Sequence, residues 1–120
     1  MIAIAPVEAG TSRRPGEVLE IEGEWELDYR PSVREARLIW YTQGKSTTEV
    51  RVVEKQKTSS ASKSGRQRFQ FTLPEWPYSY NGVLFRVLWA VELAMDQTVA
   101  RWEFTLGPDG KAIEVVDSTL

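Results

Sequence analysis

The residues whose type and spacing could most readily do chemistry are five acids in one short stretch: Glu20, Glu22, Glu24, Glu26 and Asp28 stand at every second position. Carboxylates can act as general acid and base where imidazole is missing, and this 120-residue chain has no His and no Cys. That composition removes the commonest general base and near-neutral titrating group. It also removes zinc sites built on His or Cys, and thiolate or disulfide chemistry. Spacing works against the acids too. Successive side chains on one face of a strand stand roughly 6.5–7 Å apart, whereas a calcium ion gathers six or more oxygens at about 2.3–2.6 Å. A line of carboxylates on a flat sheet does not converge, so the ladder reads as a solvated or cross-strand-paired face. No catalytic residue, metal ligand or cofactor is assigned, and the expectation is a protein that is not an enzyme.

Three basic stretches invite a phosphate or nucleic-acid reading. Gly44-Lys45-Ser46 has the residue order of a phosphate-loop fragment, but it lacks the upstream glycine at the required spacing and no helix follows it. Arg13 and Arg14, in the turn cluster 10–16, read as solvated loop arginines rather than an anion site. Residues 54–68 are serine-rich and carry five basic residues against one acid. They read as a mobile basic loop, with an anion or membrane-surface contact as the functional alternative. No aromatics interleave these charges, so stacking on single strands lacks its platform. A net charge of −2 gives no field that would gather nucleic acid.

The aromatics offer more. Of five tryptophans, Trp25, Trp89 and Trp102 share parity with aliphatic neighbours and are expected in the core. Trp40 lies in a strand that is apolar on both parities. Trp76 sits between Pro74 and Pro77, close to Tyr78 and Tyr80, in a turn over 74–82. It reads either as a lid on one end of the fold or as an exposed platform. As a platform, Trp76, Tyr78 and Tyr80 are the candidate partner-binding residues, because Trp and Tyr dominate interface hot spots. The same rings could stack on a sugar. An aromatic before proline also admits a cis bond at Trp76–Pro77.

These residues are positioned by an all-strand pattern. Residues 2–7 form a short apolar edge strand. Over 17–29, Leu19, Ile21, Trp25, Leu27 and Tyr29 alternate with the acids, and Gly23 fills the remaining inward slot as a bulge or a close approach by another backbone. Strands follow at 34–42 and 47–55. Phe69, Phe71 and Leu73 alternate up to Pro74. Residues 83–94 form the most apolar strand, and 100–106 the last clear one, before the turn Gly107-Pro108-Asp109-Gly110. Residues 107–120 return as an edge strand or trail off as a tail. About seven strands separated by turn signals make one all-β antiparallel sandwich domain over 1–120. The 17–29 strand should lie beside 66–73, with Arg66 and Arg68 on the face of the acidic ladder. No apolar run approaches the ~20 residues of a membrane span, and the N-terminal residues lack the pattern of a secretory signal. The absence of cysteine points to a reducing interior, the cytoplasm.

The order of these pieces resembles arrestin-like domains, including small bacterial proteins of that type. The resemblance rests on Pro15-Gly16-Glu17 leading into a strand with a central Gly23, and on a second strand ending at Gly44. It continues with Phe71-Thr72-Leu73-Pro74, then Pro77-Tyr78-Ser79-Tyr80-Asn81-Gly82 before a long strand of alternating Val and aromatic residues. It covers most of residues 2–106 and implies an immunoglobulin-like antiparallel β-sandwich used for protein binding or scaffolding, without catalysis. The expected partners are a protein, or a second copy pairing through an edge strand such as 47–53. A carbohydrate-binding module built on the turn aromatics is the alternative.

Overall fold

The computed structural model describes residues 1–44, 48–59 and 62–114. Ten strands and no helix run through the described residues: β1 (Ile2–Pro6), β2 (Ser12–Arg13), β3 (Val18–Glu26), β4 (Arg34–Gly44), β5 (Val50–Lys57), β6 (Ser64–Thr72), β7 (Tyr80–Asn81), β8 (Phe85–Met95), β9 (Thr98–Leu106) and β10 (Ile113–Glu114). They form two sheets. The smaller is antiparallel, in the order β1-β3-β6. In the larger, β5-β4-β8 run side by side. The far edge of β8 pairs with β9 along residues 89–95 and with β7 at residues 86 and 87. Short parallel pairings add β2 to β9 and β10 to β7.

Alternation explains why the sheets face each other. Leu19, Ile21 and Trp25 of β3 and Phe69 and Phe71 of β6 project from one face of the smaller sheet. They meet Leu38 of β4, Trp89, Val91 and Leu93 of β8, and Phe104 and Leu106 of β9 in a single core. Each such side chain contributes roughly 1.5–3 kcal/mol when fully buried. Trp25 and Trp89 are buried and Trp102 packs half-buried against the core, as their parity predicted. The all-β sandwich expected from the strand pattern is the observed architecture.

Several local readings are corrected. The alternation at 17–29 outlasts the strand, and Tyr29 lies exposed beyond β3. The basic stretch 54–68 is mostly strand: residues 54–57 finish β5, paired with 35–38 of β4, and 64–68 begin β6, paired with 22–26 of β3, and Gln56 and Gln67 bond across the gap between them. Gln56 Nε2 donates to the Gln70 carbonyl at 2.6 Å, and the Ser59 amide donates to Gln67 Oε1 at 2.9 Å. Gly23 marks no bulge, since its pairing on both sides is unbroken. A methyl there would meet Leu93 Cδ2 at 3.0 Å and Phe69 Cε2 at 3.1 Å, so the close approach is by core side chains. The bulge lies in β5, where the register against β4 shifts between Leu38 and Ile39. Lys45 and Ser46 of the Gly-Lys-Ser stretch, and the tail beyond Glu114, lie outside the described residues.

The acidic ladder is paired across strands. Glu22 stands opposite Arg68, Glu24 opposite Arg66 and Glu20 opposite Gln70. Arg66 lies 3.5 Å from Glu22 and 3.4 Å from Glu24, and Arg68 lies 3.4 Å from Glu22. These ion pairs face solvent, where each contributes about 0–1 kcal/mol and is screened by salt. Glu22→Gln with Glu24→Gln is therefore expected to lower stability by under about 1 kcal/mol at low salt, with the difference vanishing at high salt in urea titrations. A retained melting curve with lost partner binding would instead make this face the working surface.

Candidate protein-interaction site

The turn at 74–82 is held by a few strong backbone contacts. The buried indole of Trp89 donates from Nε1 to the Pro77 carbonyl at 2.7 Å. Ser79, also buried, ties three elements together. Its amide donates to the Leu106 carbonyl at 2.7 Å, its Oγ accepts from the Leu106 amide at 2.9 Å, and its carbonyl accepts from the Ile113 amide at 2.8 Å. The Trp76–Pro77 peptide is cis, the isomer that the aromatic-proline step admitted. Beyond Ser79 the chain enters β7, and the turn closes with the Gly82 amide donating to the Phe85 carbonyl at 3.0 Å.

These constraints bring the three candidate residues together. Trp76, Tyr78 and Tyr80 line one groove of about 300 Å³, with Pro77, Phe85, Val87 and Ile113. Trp76 is 72 % exposed, and its ring meets Trp40 edge-on at 6.1 Å and 76°. Tyr80 packs on Phe85 at 5.2 Å. The polar side-chain atoms of this lining are two phenol oxygens and one indole nitrogen. The groove therefore suits an apolar occupant and offers few partners for a ring of hydroxyls.

Phe85, Val87 and Ile113 escaped the sequence reading. Phe85 and Val87 share the core parity of β8, yet exposure climbs along that face: Trp89 is buried, Val87 partly so, and Phe85 is 46 % exposed. Val83 and Leu84, expected in the strand, instead form the hairpin tip at 79 % and 71 % exposure. An apolar run that continues into a turn, on both parities, was the available signal.

Two charged clusters are the rival sites. Arg14 is exposed, as expected of a loop arginine, but Arg13 is buried. Its guanidinium donates to the Ser12 and Glu8 carbonyls at 2.9 and 2.8 Å and lies 5.5 Å from the Trp102 ring centre. These contacts give Arg13 a structural duty. On the outer face of the larger sheet, Arg101 donates twice to Glu92 Oε2, at 3.0 and 2.7 Å, and covers the Tyr41 ring at 4.9 Å. Tyr41 donates to Glu103 at 2.7 Å. This clasp lies over Ile39 and Ala90, which are fully buried although no second layer among the described residues covers that face.

Burial, and then the Glu103 carboxylate, push the Tyr41 phenol above the ordinary value of 10.0. The Glu92 hydrogen bond raises Arg101 further from neutrality. A raised acid holds its proton more tightly when folded. Tyr41 therefore contributes stability that is whole below its unfolded pKa and is lost as pH rises through the folded value. Urea titrations should show wild-type stability falling more steeply above pH 10.0 than that of Tyr41→Phe. At neutral pH the variant should be about 0.5–1.5 kcal/mol less stable. Parallel curves would remove Tyr41 from the account.

Comparison with protein-family profiles and with curated proteins finds no match. Among solved structures, the chain is similar to Spo0M, a sporulation control protein from Bacillus subtilis. The TM-score is 0.54 at 11% identity, over 88% of this chain and 49% of that one. The fold is arrestin-like. At this identity the likeness concerns the fold alone, and the chain spans about half the length of the protein it matches. No helix among the described residues is long and apolar enough to cross a membrane.

Proposed function

We propose that this chain is a non-catalytic protein-interaction or scaffolding module of arrestin-like type, acting in the cytoplasm through the groove of Trp76, Tyr78 and Tyr80. One observation carries the reading: a tryptophan 72 % exposed stands in an apolar groove continuous with an exposed hairpin tip. Contiguous apolar patches of a few hundred Å² mark interaction surfaces on soluble domains, and aromatic anchors supply most of the binding energy at such surfaces. The arrestin-like fold adds an analogy only.

The test is affinity capture from the native cell with wild type and Trp76→Ala. Because Trp76 is exposed, the variant should melt with wild type while its specific partner is lost or weakened by about 10-fold or more. Equal recovery by both proteins would remove the groove from the account. Binding of an oligosaccharide that depends on Trp76 would replace this reading with a carbohydrate-binding one.

A further inference from the structure

The groove and its neighbouring tip are complementary to each other. At the base of the hairpin, Tyr80 and Phe85 form groove wall, and between them in sequence Val83 and Leu84 project as the knob. A tip cannot fold back into a groove that shares its own base, but it can enter the groove of another molecule. We propose that the occupant of the groove is a second copy of this chain, with Val83 and Leu84 of each copy seated against Trp76 and Phe85 of the other. This rests on the reading of the groove as an interaction site and names its partner.

Four observations favour self-association. A surface that carries both a knob and its hole meets itself about a two-fold axis, giving a closed pair. The exposed parts of Trp76, Val83, Leu84, Phe85 and Ile113 amount to roughly 600 Å² per copy, so a pair that covered all of it would bury about 1,200 Å², the lower bound for a stable specific interface. Among the described residues, none of the groove lining and none of Gly82, Val83 and Leu84 is charged, so seating these side chains on one another desolvates no ion of their own. Arg86, beside the tip in β8, has strand parity opposite to Phe85 and Val87 and bonds to Asn81 and Gln43 at 3.4 and 3.2 Å. The tip is also set in place beforehand. A methyl on Gly82 would fall 2.3 Å from the Tyr80 ring, and one on Gly44 would fall 3.0 Å from the Leu84 carbonyl. Both glycines thus let the hairpin pack tightly, which lowers the ordering cost of binding.

This mode differs from edge pairing through β5. That strand carries a bulge, Lys55 and Lys57, features that discourage strand addition.

Sedimentation equilibrium on the full chain, from about 1 to 300 µM, reads the proposal directly. A monomer–dimer equilibrium is expected, weakened about a hundredfold by Leu84→Asp, with the melting curve unchanged because Leu84 is exposed. The chain has no Cys, so Leu84→Cys and Trp76→Cys variants can be mixed and oxidised. A disulfide joining the two variants supports the contact. A monomer throughout, or a dimer that Leu84→Asp leaves intact, overturns the proposal. A monomer that still captures a Trp76-dependent protein overturns the second copy and keeps the groove as an interaction site. A monomer with no Trp76-dependent capture overturns both.

Discussion

Trp89→Ala is expected to remove about 3–5 kcal/mol of stability, the range for truncating a buried tryptophan. Against a total of about 5–15 kcal/mol for a domain, that leaves it marginal or unfolded. Two losses combine. The indole sits in the middle of the core, 6.0 Å from Phe104, so its removal opens a cavity between the sheets. Its Nε1 is also the donor to the Pro77 carbonyl, which would be left without that donor. Trp89→Phe separates the two effects. It keeps most of the volume and loses the hydrogen bond, at about 1–3 kcal/mol. The smaller variant should loosen the groove more than the rest of the fold. In hydrogen exchange, the Ser79 amide, bonded to Leu106, should lose more protection than the β3 amides. Uniform loss across the chain would show that Trp89 supports the core without fixing the turn.

Gly107→Ala should cost about 1–3 kcal/mol through overpacking, and more if the turn cannot yield. Its added methyl would fall 1.7 Å from the Lys111 carbonyl oxygen and 2.7 Å from that carbonyl carbon. Backbone cannot swing away as a flexible side chain can. The Gly107 amide is moreover held by the Arg13 carbonyl at 3.1 Å. Relief requires moving residues 107–113, which separates β10 from β7 and withdraws Ile113 from the groove wall. A lowered urea midpoint, with early exchange of the Ile113 amide, is the expected pattern. A stable variant with Ile113 still protected would show that the turn has slack.

Most of the architecture was legible because it rests on period-two alternation. The sequence alone assigns the acids and apolars of 17–29 to opposite faces, and Arg66 and Arg68 to the ladder. What failed had physical reasons. Alternation says which face a residue takes and nothing about where the opposing sheet stops. Hence Phe85 and Val87 read as core, although only Trp89 and the residues after it are covered. The composition of 54–68 suggested solvent, but Gln56 and Gln67 close backbone groups across the sandwich side that charge counting does not register. Trp76, Tyr78 and Tyr80 were identifiable because their turn had no evident place in the core. Ile113 was invisible because it joins the groove through a parallel pairing with Tyr80, 33 positions away in sequence.

The unequal reach of the two sheets has a thermal consequence. The part of β8 before Trp89 carries Phe85 and Val87 past the end of the opposing sheet, so an occupant there would extend the apolar interior. Covering about 1,200 Å² of mainly apolar surface lowers the heat capacity by roughly 0.5 kcal/mol/K, at about 0.45 cal/K/mol per Å². Attachment driven this way weakens on cooling. A complex formed this way would be favoured by warmth and released by cold, while the sandwich itself, whose core is already closed, stays folded.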